Sequence, residues 1–217
     1  MKHITVFDLD HTLLAVNSSY VFGALLFKKK LFSAFTMLQL VGIYAMHKLG
    51  FFSFETTHQK IFPKLFQGRS LASIQQHIEP FLDTLFEHHL NTSVVAALRE
   101  AQRQQQHTVI LSSSPDLLVA PIAKRLGVNE WKATNYAVDE QHCFSHVAEV
   151  LQGEGKADYV TNLLKQYDLE KSALTAYSDS HLDLPFLQLA GKVVAVNPTK
   201  KLRKECLLND WAIELSP

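Results

Sequence analysis

The sequence predicts an α/β protein: a parallel sheet with helices on both faces, interrupted near its start by an all-helical insert. Three observations carry this expectation. From Asn91 onward, β-branched runs alternate with amphipathic stretches, and strand, helix, strand in repetition implies right-handed crossovers in one parallel sheet. The run Ile4 to Phe7 reads as another strand entering a core. Between the two, residues 16–90 show only helix-like patterns.

Taken in order, "HITVFDLDHTLL" is an apolar strand that ends on Asp8 and Asp10 before any turn residue arrives. Leu9 is apolar because it points back into the sheet. Two carboxylates this close repel unless a cation stands between them, and at this point a surface lysine, a metal or nothing remain open. Tyr20 to Phe27 is apolar, Lys28 to Lys30 follow, and Leu31 to Met46 contains no charge. Ser33, Thr36, Gln39 and Gly42 make one narrow polar stripe on that second run, which marks a helix buried or touching lipid. The run is shorter than the roughly 20 residues that cross a bilayer. Phe54 to His89 is mixed and helix-like, with a turn at Gln67 to Ser70 and solvated His88 and His89.

The second part begins with a helix in "NTSVVAALREAQRQQQ". A strand ending in hydroxyls follows in "TVILSSS", then a helix opened by proline and closed by glycine in "PDLLVAPIAKRLG". "NYAVDEQHCFSHV" reads as a hairpin, "KADYVTNLLKQY" as a helix and "LTAYSDSHLD" as a strand ending in acids. "LPFLQLAG" is a short helix and "VVAVNP" the last core strand. Ser114 is placed to cap the helix after Pro115. In such sheets ligands bind at the carboxyl ends of the strands, where Asp8 with Asp10, Ser112 to Ser114, and Asp179 with Asp183 all fall.

At 217 residues, 47% hydrophobic, the chain suffices for a large core and a smaller insert. Lys+Arg and Asp+Glu balance at 21 each, so no field favours nucleic acid. Cys143 and Cys206 stand far apart, outside any CxxC spacing, so reduced thiols in a cytoplasm are expected rather than a disulfide or zinc site. The first residues lack the order of a secretory signal, because Asp8 and Asp10 interrupt the apolar run.

Four motifs in this order, "FDLDHTL", "VILSSSP", "GEGK" and "YSDSHLD", resemble the haloacid-dehalogenase-like (HAD) superfamily, subfamily IB, the branch similar to phosphoserine phosphatase. The resemblance implies a Rossmann-like core over 1–15 and 91–217 and a helical cap over 16–90 that sets specificity. It implies a phosphomonoester substrate and a Mg²⁺-dependent phosphatase acting through an aspartyl-phosphate. By resemblance, Asp8 is the nucleophile. Asp10 is the general acid and base, with its main-chain carbonyl also on the metal. Thr12 positions Asp10 and the loop, Ser112 holds a phosphate oxygen with Ser113 in support, and Lys156 balances charge. Asp8 and Asp179 supply Mg²⁺ with hard oxygen ligands, and Asp183 binds it directly or through water. His11 is expected to be a bystander.

Phosphoserine phosphatases of this branch carry an acid nine positions after the nucleophile, and this chain has Asn17 there. An amide does not pair an ammonium as a carboxylate does, so the departure weakens phosphoserine and histidinol phosphate as substrates. Phosphatidylglycerophosphate phosphatases of the branch resemble the apolar cap in character, which keeps a lipid phosphate open. The run from Leu31 to Met46, flanked by Lys28 to Lys30 and Lys48, suits an interfacial helix meeting anionic headgroups. The competing expectation is that it packs into the cap's own core or against a second subunit, as in a homodimer. A catalytically retired fold serving as a membrane-associated or protein-binding module is the alternative to an enzyme.

Overall fold

In the computed structural model, residues 3–215 are described; residues 1–2 and 216–217 and the side chain of Lys48 lie outside the described set. The first strand, β1 (Ile4–Asp8), leads into five helices: α1 (Ser18–Lys28), α2 (Ala34–Lys48), α3 (Phe54–Leu65), α4 (Leu71–Gln75) and α5 (Ile78–His88). Then follow α6 (Thr92–Arg103), β2 (His107–Pro115), α7 (Asp116–Leu126), β3 (Glu130–Val138) and β4 (Phe144–Glu149). The chain closes with α8 (Glu154–Gln166), β5 (Leu174–Ser178), α9 (Leu184–Leu187), β6 (Lys192–Val196), α10 (Lys200–Asn209) and β7 (Ala212–Glu214).

The strands form one sheet in the order β4-β3-β2-β1-β5-β6-β7. All neighbours are parallel except β3 with β4. β1 therefore sits at the centre, with β2 on one side and β5 on the other. The chain winds outward in both directions from it, which opens a crevice at the strands' carboxyl ends.

Alternation along the strands supplies both faces of the sheet. Ile4 and Val6 join Val109, Leu111 and Ala176 against Val160 and Leu163 of α8, Phe186 of α9 and Leu202 of α10. Phe7 and Ile110 face the other way, into a cluster with Leu98 of α6 and Leu118 and Ile122 of α7. That cluster continues without a break into Phe22 and Leu26 of α1, Phe62 of α3 and Leu82 and Leu85 of α5. The helical insert thus packs on the same face as α6 and α7. It is also tied to the hairpin: Gly68 N–H donates to the carbonyl of Phe144, Phe144 N–H to Arg69, and Leu71 N–H to His142.

Several expectations need correction. The strand at Lys192 is not the last: α10 and the edge strand β7 follow it. Only Leu202 and Cys206 of α10 are buried, too sparse a pattern to announce a helix, and β7 has three residues. β3 starts at Glu130, before the hairpin stretch, because it pairs with β2 from Val109↔Glu130 onward before β4 returns along it. The apolar run at Leu31 does not fold wholly into the insert's core. Phe32 is buried and Met37 and Leu40 are partly covered, but Phe35, Leu38, Val41 and Leu49 are 60–70% exposed. No helix among the described residues is long and apolar enough to cross a membrane. Cys143 and Cys206 are both free.

Candidate active site

Each predicted acid falls at the rim of the crevice. Asp8 is the last residue of β1 and is buried. Lys156 lies in the first turn of α8, 1% exposed, and its ammonium donates to Asp8 Oδ1 at 2.7 Å and to Asp183 at 2.9 Å (Oδ1) and 3.0 Å (Oδ2). The helix start that brings it there depends on Gly153, whose φ of 49° lies in the left-handed region. The ammonium also lies over the ring of Phe186, 5.6 Å from its centroid, so it is shielded as well as paired. Thr12 Oγ1 donates to Asp8 Oδ2 at 3.3 Å, whereas the sequence assigned it to Asp10. Asp183 Oδ2 also accepts from Ser178 Oγ at 2.7 Å.

The electrostatics are those of too many acids around one cation. Burial, with Asp183 and Asp179 nearby, pushes the Asp8 carboxyl well above the ordinary range against the pull of Lys156. Burial and then Asp183 push Asp179 up to about 7. Lys156 is held above its ordinary value by Asp183 and Asp8 despite burial. Among the described residues no three His, Cys, Asp or Glu side chains form a ready cage for a metal. The donor set nevertheless fits Mg²⁺, which takes one or two carboxylates and completes its shell with water and phosphate oxygens. Asp8 and Asp179 are hard oxygen donors, and one ammonium does not balance the acids gathered here. Asp183, with both oxygens on Lys156, is better placed to hold the ammonium.

This excess charge has a thermodynamic sign. A carboxyl raised above its ordinary value contributes stability at low pH that is lost as pH rises through its folded value, about 7 for Asp179. His58, buried and lowered to about 4, works the opposite way below its ordinary value of 6.5. The raised carboxyls therefore act across pH 8 to 6.5, where His58 in the unfolded chain has begun to take up its proton and offsets part of their gain. In chelator the melting temperature should rise across it by about 1–2 °C, since Asp179 contributes less than about 1 kcal/mol there and His58 takes back about half. Added Mg²⁺ should stabilise more at pH 8 than at pH 6.5. A flat or falling melting curve in chelator would contradict the charge excess.

Ser112 is 1% exposed and its Oγ accepts from Ser114 N–H at 3.1 Å. Ser113 turns its carbonyl to Thr134 Oγ1 at 2.8 Å. Ser114 does not cap α7: Pro115 occupies that position without a side-chain cap. Ser114 instead donates to Asp10 Oδ2 at 2.5 Å. Asp10 Oδ1 accepts from the N–H of Ser18 at 2.7 Å. His11 is exposed but has φ of 60°, so its contribution is a left-handed turn between Asp10 and Thr12. Asn17 uses both ends of its amide within the chain. Its oxygen caps α1 by accepting from Tyr20 N–H at 2.8 Å, and its nitrogen lies 3.4 Å from Asp10 Oδ2.

Known proteins resemble the chain in sequence and in fold. A family model described as haloacid dehalogenase-like hydrolase matches residues 5–188. A phosphoserine phosphatase of Mycobacterium tuberculosis is 29% identical over 214 residues, 95% of this chain and 68% of that one. A histidinol-phosphatase of Neisseria meningitidis is 25% identical over 98% of both chains. A protein of unknown function from Bordetella pertussis superposes with a TM-score of 0.86 at 21% identity, covering 98% of each chain. With its acids, serine and lysine on one crevice and the match spanning most of its length, the chain belongs to the haloacid dehalogenase-like hydrolases and is a phosphatase of that family.

Proposed function

We propose that the protein is a Mg²⁺-dependent phosphomonoester hydrolase that works through an aspartyl-phosphate on Asp8. The observation that carries this is the buried ammonium of Lys156 between Asp8 and Asp183. A dianionic phosphate repels a carboxylate nucleophile, and unit charges about 4 Å apart interact by about 4 kcal/mol at an effective dielectric near 20. A fixed cation beside the nucleophile offsets that repulsion and needs no reorganisation during reaction. Bound Mg²⁺, held by Asp8, Asp179 and the main-chain carbonyl of Asp10, with Asp183 through water, would supply further neutralisation at the phosphate.

In the first step a carboxylate oxygen of Asp8 attacks phosphorus, the bond to the alcohol oxygen breaks, and Asp10 gives that oxygen its proton. In the second, water attacks phosphorus and yields its proton to Asp10. The bond to Asp8 then breaks, releasing inorganic phosphate. Ser112 holds a phosphate oxygen, Ser113 supports that loop, and the insert acts as the cap over the crevice. Because Asn17 spends both ends of its amide inside the chain, the favoured substrates carry no ammonium handle. p-Nitrophenyl phosphate should be hydrolysed with Mg²⁺ and not in chelator, and in a phosphomonoester screen phosphoserine should rank below uncharged esters by kcat/KM. Phosphoserine at the top would overturn the substrate reading. No Mg²⁺-dependent hydrolysis at all would leave a retired fold serving as a binding module.

We also propose peripheral contact between the cap and an anionic membrane, carried by the outer face of α2. Phe35, Leu38, Val41 and Leu49 line that face, the exposed Lys28 to Lys30 stand beside it, and no Asp or Glu occurs between Asp10 and Glu55. In a two-fold dimer such a patch meets itself and has no acid to oppose its lysines, whereas anionic headgroups supply the countercharge. At low salt the protein should co-sediment with phosphatidylserine vesicles more than with neutral ones. Replacing Lys28 to Lys30 with glutamine should weaken this. Equal sedimentation with both vesicles, or a lipid-independent dimer in solution, would overturn it.

A further inference from the structure

Near its end β2 slips out of register with β3. Ser112 pairs with Ala133, but the next pair is Pro115 with Thr134, so two residues are left over between them. Bulges of this kind re-aim side chains beside active sites, and here the re-aimed side chain is Ser114. We propose that Ser114 is a positioning residue for Asp10, fixing the orientation of its carboxylate and joining it to the first helix of the cap through Ser18 and Ser19. The inference rests on the reading of Asp10 as general acid.

The hydrogen bonds run in one direction. Ser114 has one hydroxyl proton, which it donates to Asp10 Oδ2 at 2.5 Å. Its oxygen then accepts, from Ser18 Oγ at 3.3 Å and from Ser19 Oγ at 2.7 Å. Ser18 holds the other oxygen of Asp10 through its main-chain N–H at 2.7 Å. The carboxylate is thus gripped at one oxygen by the core and at the other by α1, and the two grips are themselves bonded. Ser18 is fully buried and Ser114 is 4% exposed, so removing the Ser114 hydroxyl leaves little room for water to take its place. Without it, Oδ2 keeps only the long contact from Asn17, and the carboxylate is free to rotate away from the leaving group. A proton donor that is misplaced by about 1 Å loses much of its effect.

The test is kcat/KM across a series of phosphate monoesters whose leaving alcohols rise in basicity, from p-nitrophenyl phosphate to a simple alkyl phosphate. p-Nitrophenolate departs without a proton, so loss of acid positioning spares it. Ser114→Ala should lower kcat/KM for the alkyl ester about tenfold, part of the 10²–10⁴ that general acid catalysis supplies, and for p-nitrophenyl phosphate by less than about threefold. Ser19→Ala should give a smaller loss graded in the same way, and it serves alone if Ser114→Ala does not fold. A loss equal for all leaving groups, or no loss, in a variant with wild-type melting temperature would overturn the assignment. A wild-type protein that hydrolyses none of the esters would instead remove the catalytic reading beneath it.

Discussion

Asp8→Asn should lower turnover by more than about 10³-fold, because the amide oxygen is no nucleophile and no neighbour replaces it. Asp10 is held on the far side by Ser18 and Ser114, and Asp183 is tied to Lys156 and Ser178. The fold should survive unharmed. The site disfavours a charge at Asp8, since burial and the neighbouring acids outweigh the pull of Lys156, and the variant keeps the pair between Lys156 and Asp183. Turnover in p-nitrophenyl phosphate and a melting curve in chelator check the two halves together. A variant retaining a tenth of wild-type turnover would remove Asp8 from its role. One that melts far below wild type would show that the Asp8 charge holds the crevice together.

Lys156→Met has the opposite balance and should be the most damaging single change to the fold. Methionine is an unbranched apolar side chain of similar reach, but the buried carboxylates of Asp8 and Asp183 lose their shared cation. Removing one partner of a buried pair costs about 3–5 kcal/mol, which for a chain of this size lowers the melting temperature by roughly 6–20 °C. The acids can take up protons to relieve the strain. The deficit should therefore be larger at pH 8 than at pH 6.5, the sign expected of carboxyls raised further still. Denaturant unfolding in chelator at the two pH values measures it. A cost below about 1 kcal/mol, or one independent of pH, would mean that Lys156 is not the counter-ion of these acids.

Much of the crevice was legible because its chemistry restricts residue types at strand ends. Asp8 and Ser112 follow apolar runs directly, Asp179 follows the strand after Ser178, and the parallel sheet brings those ends to one rim. Lys156 was legible from its place at a helix start. Thr12 was placed near the right loop but on the wrong acid, since the turn at His11 carries its hydroxyl back to Asp8. Ser114 was misread, because a bulge is a feature of pairing between two strands and leaves no mark on one of them. The sequence likewise shows that α2 is apolar nearly all round, but which side meets the rest of the chain depends on where α3 lies. Asn17 showed that a carboxylate was missing. It did not show that the amide is consumed at both ends. α10 and β7 passed unseen because each buries too few residues to set a period.

The apolar cluster that runs unbroken from α7 through the insert has one more implication. Leu118 and Ile122 are covered by the same group of side chains as Phe22, Leu82 and Leu85, and the hairpin is laced by main-chain bonds to the segment after α3. The insert and the sheet should then unfold in a single transition, with no minimal catalyst obtained by trimming. Transplanting another phosphatase's insert onto this scaffold would leave mismatched surfaces along α7 and the hairpin, so new specificity is more readily reached by point changes inside the crevice than by exchanging the whole segment.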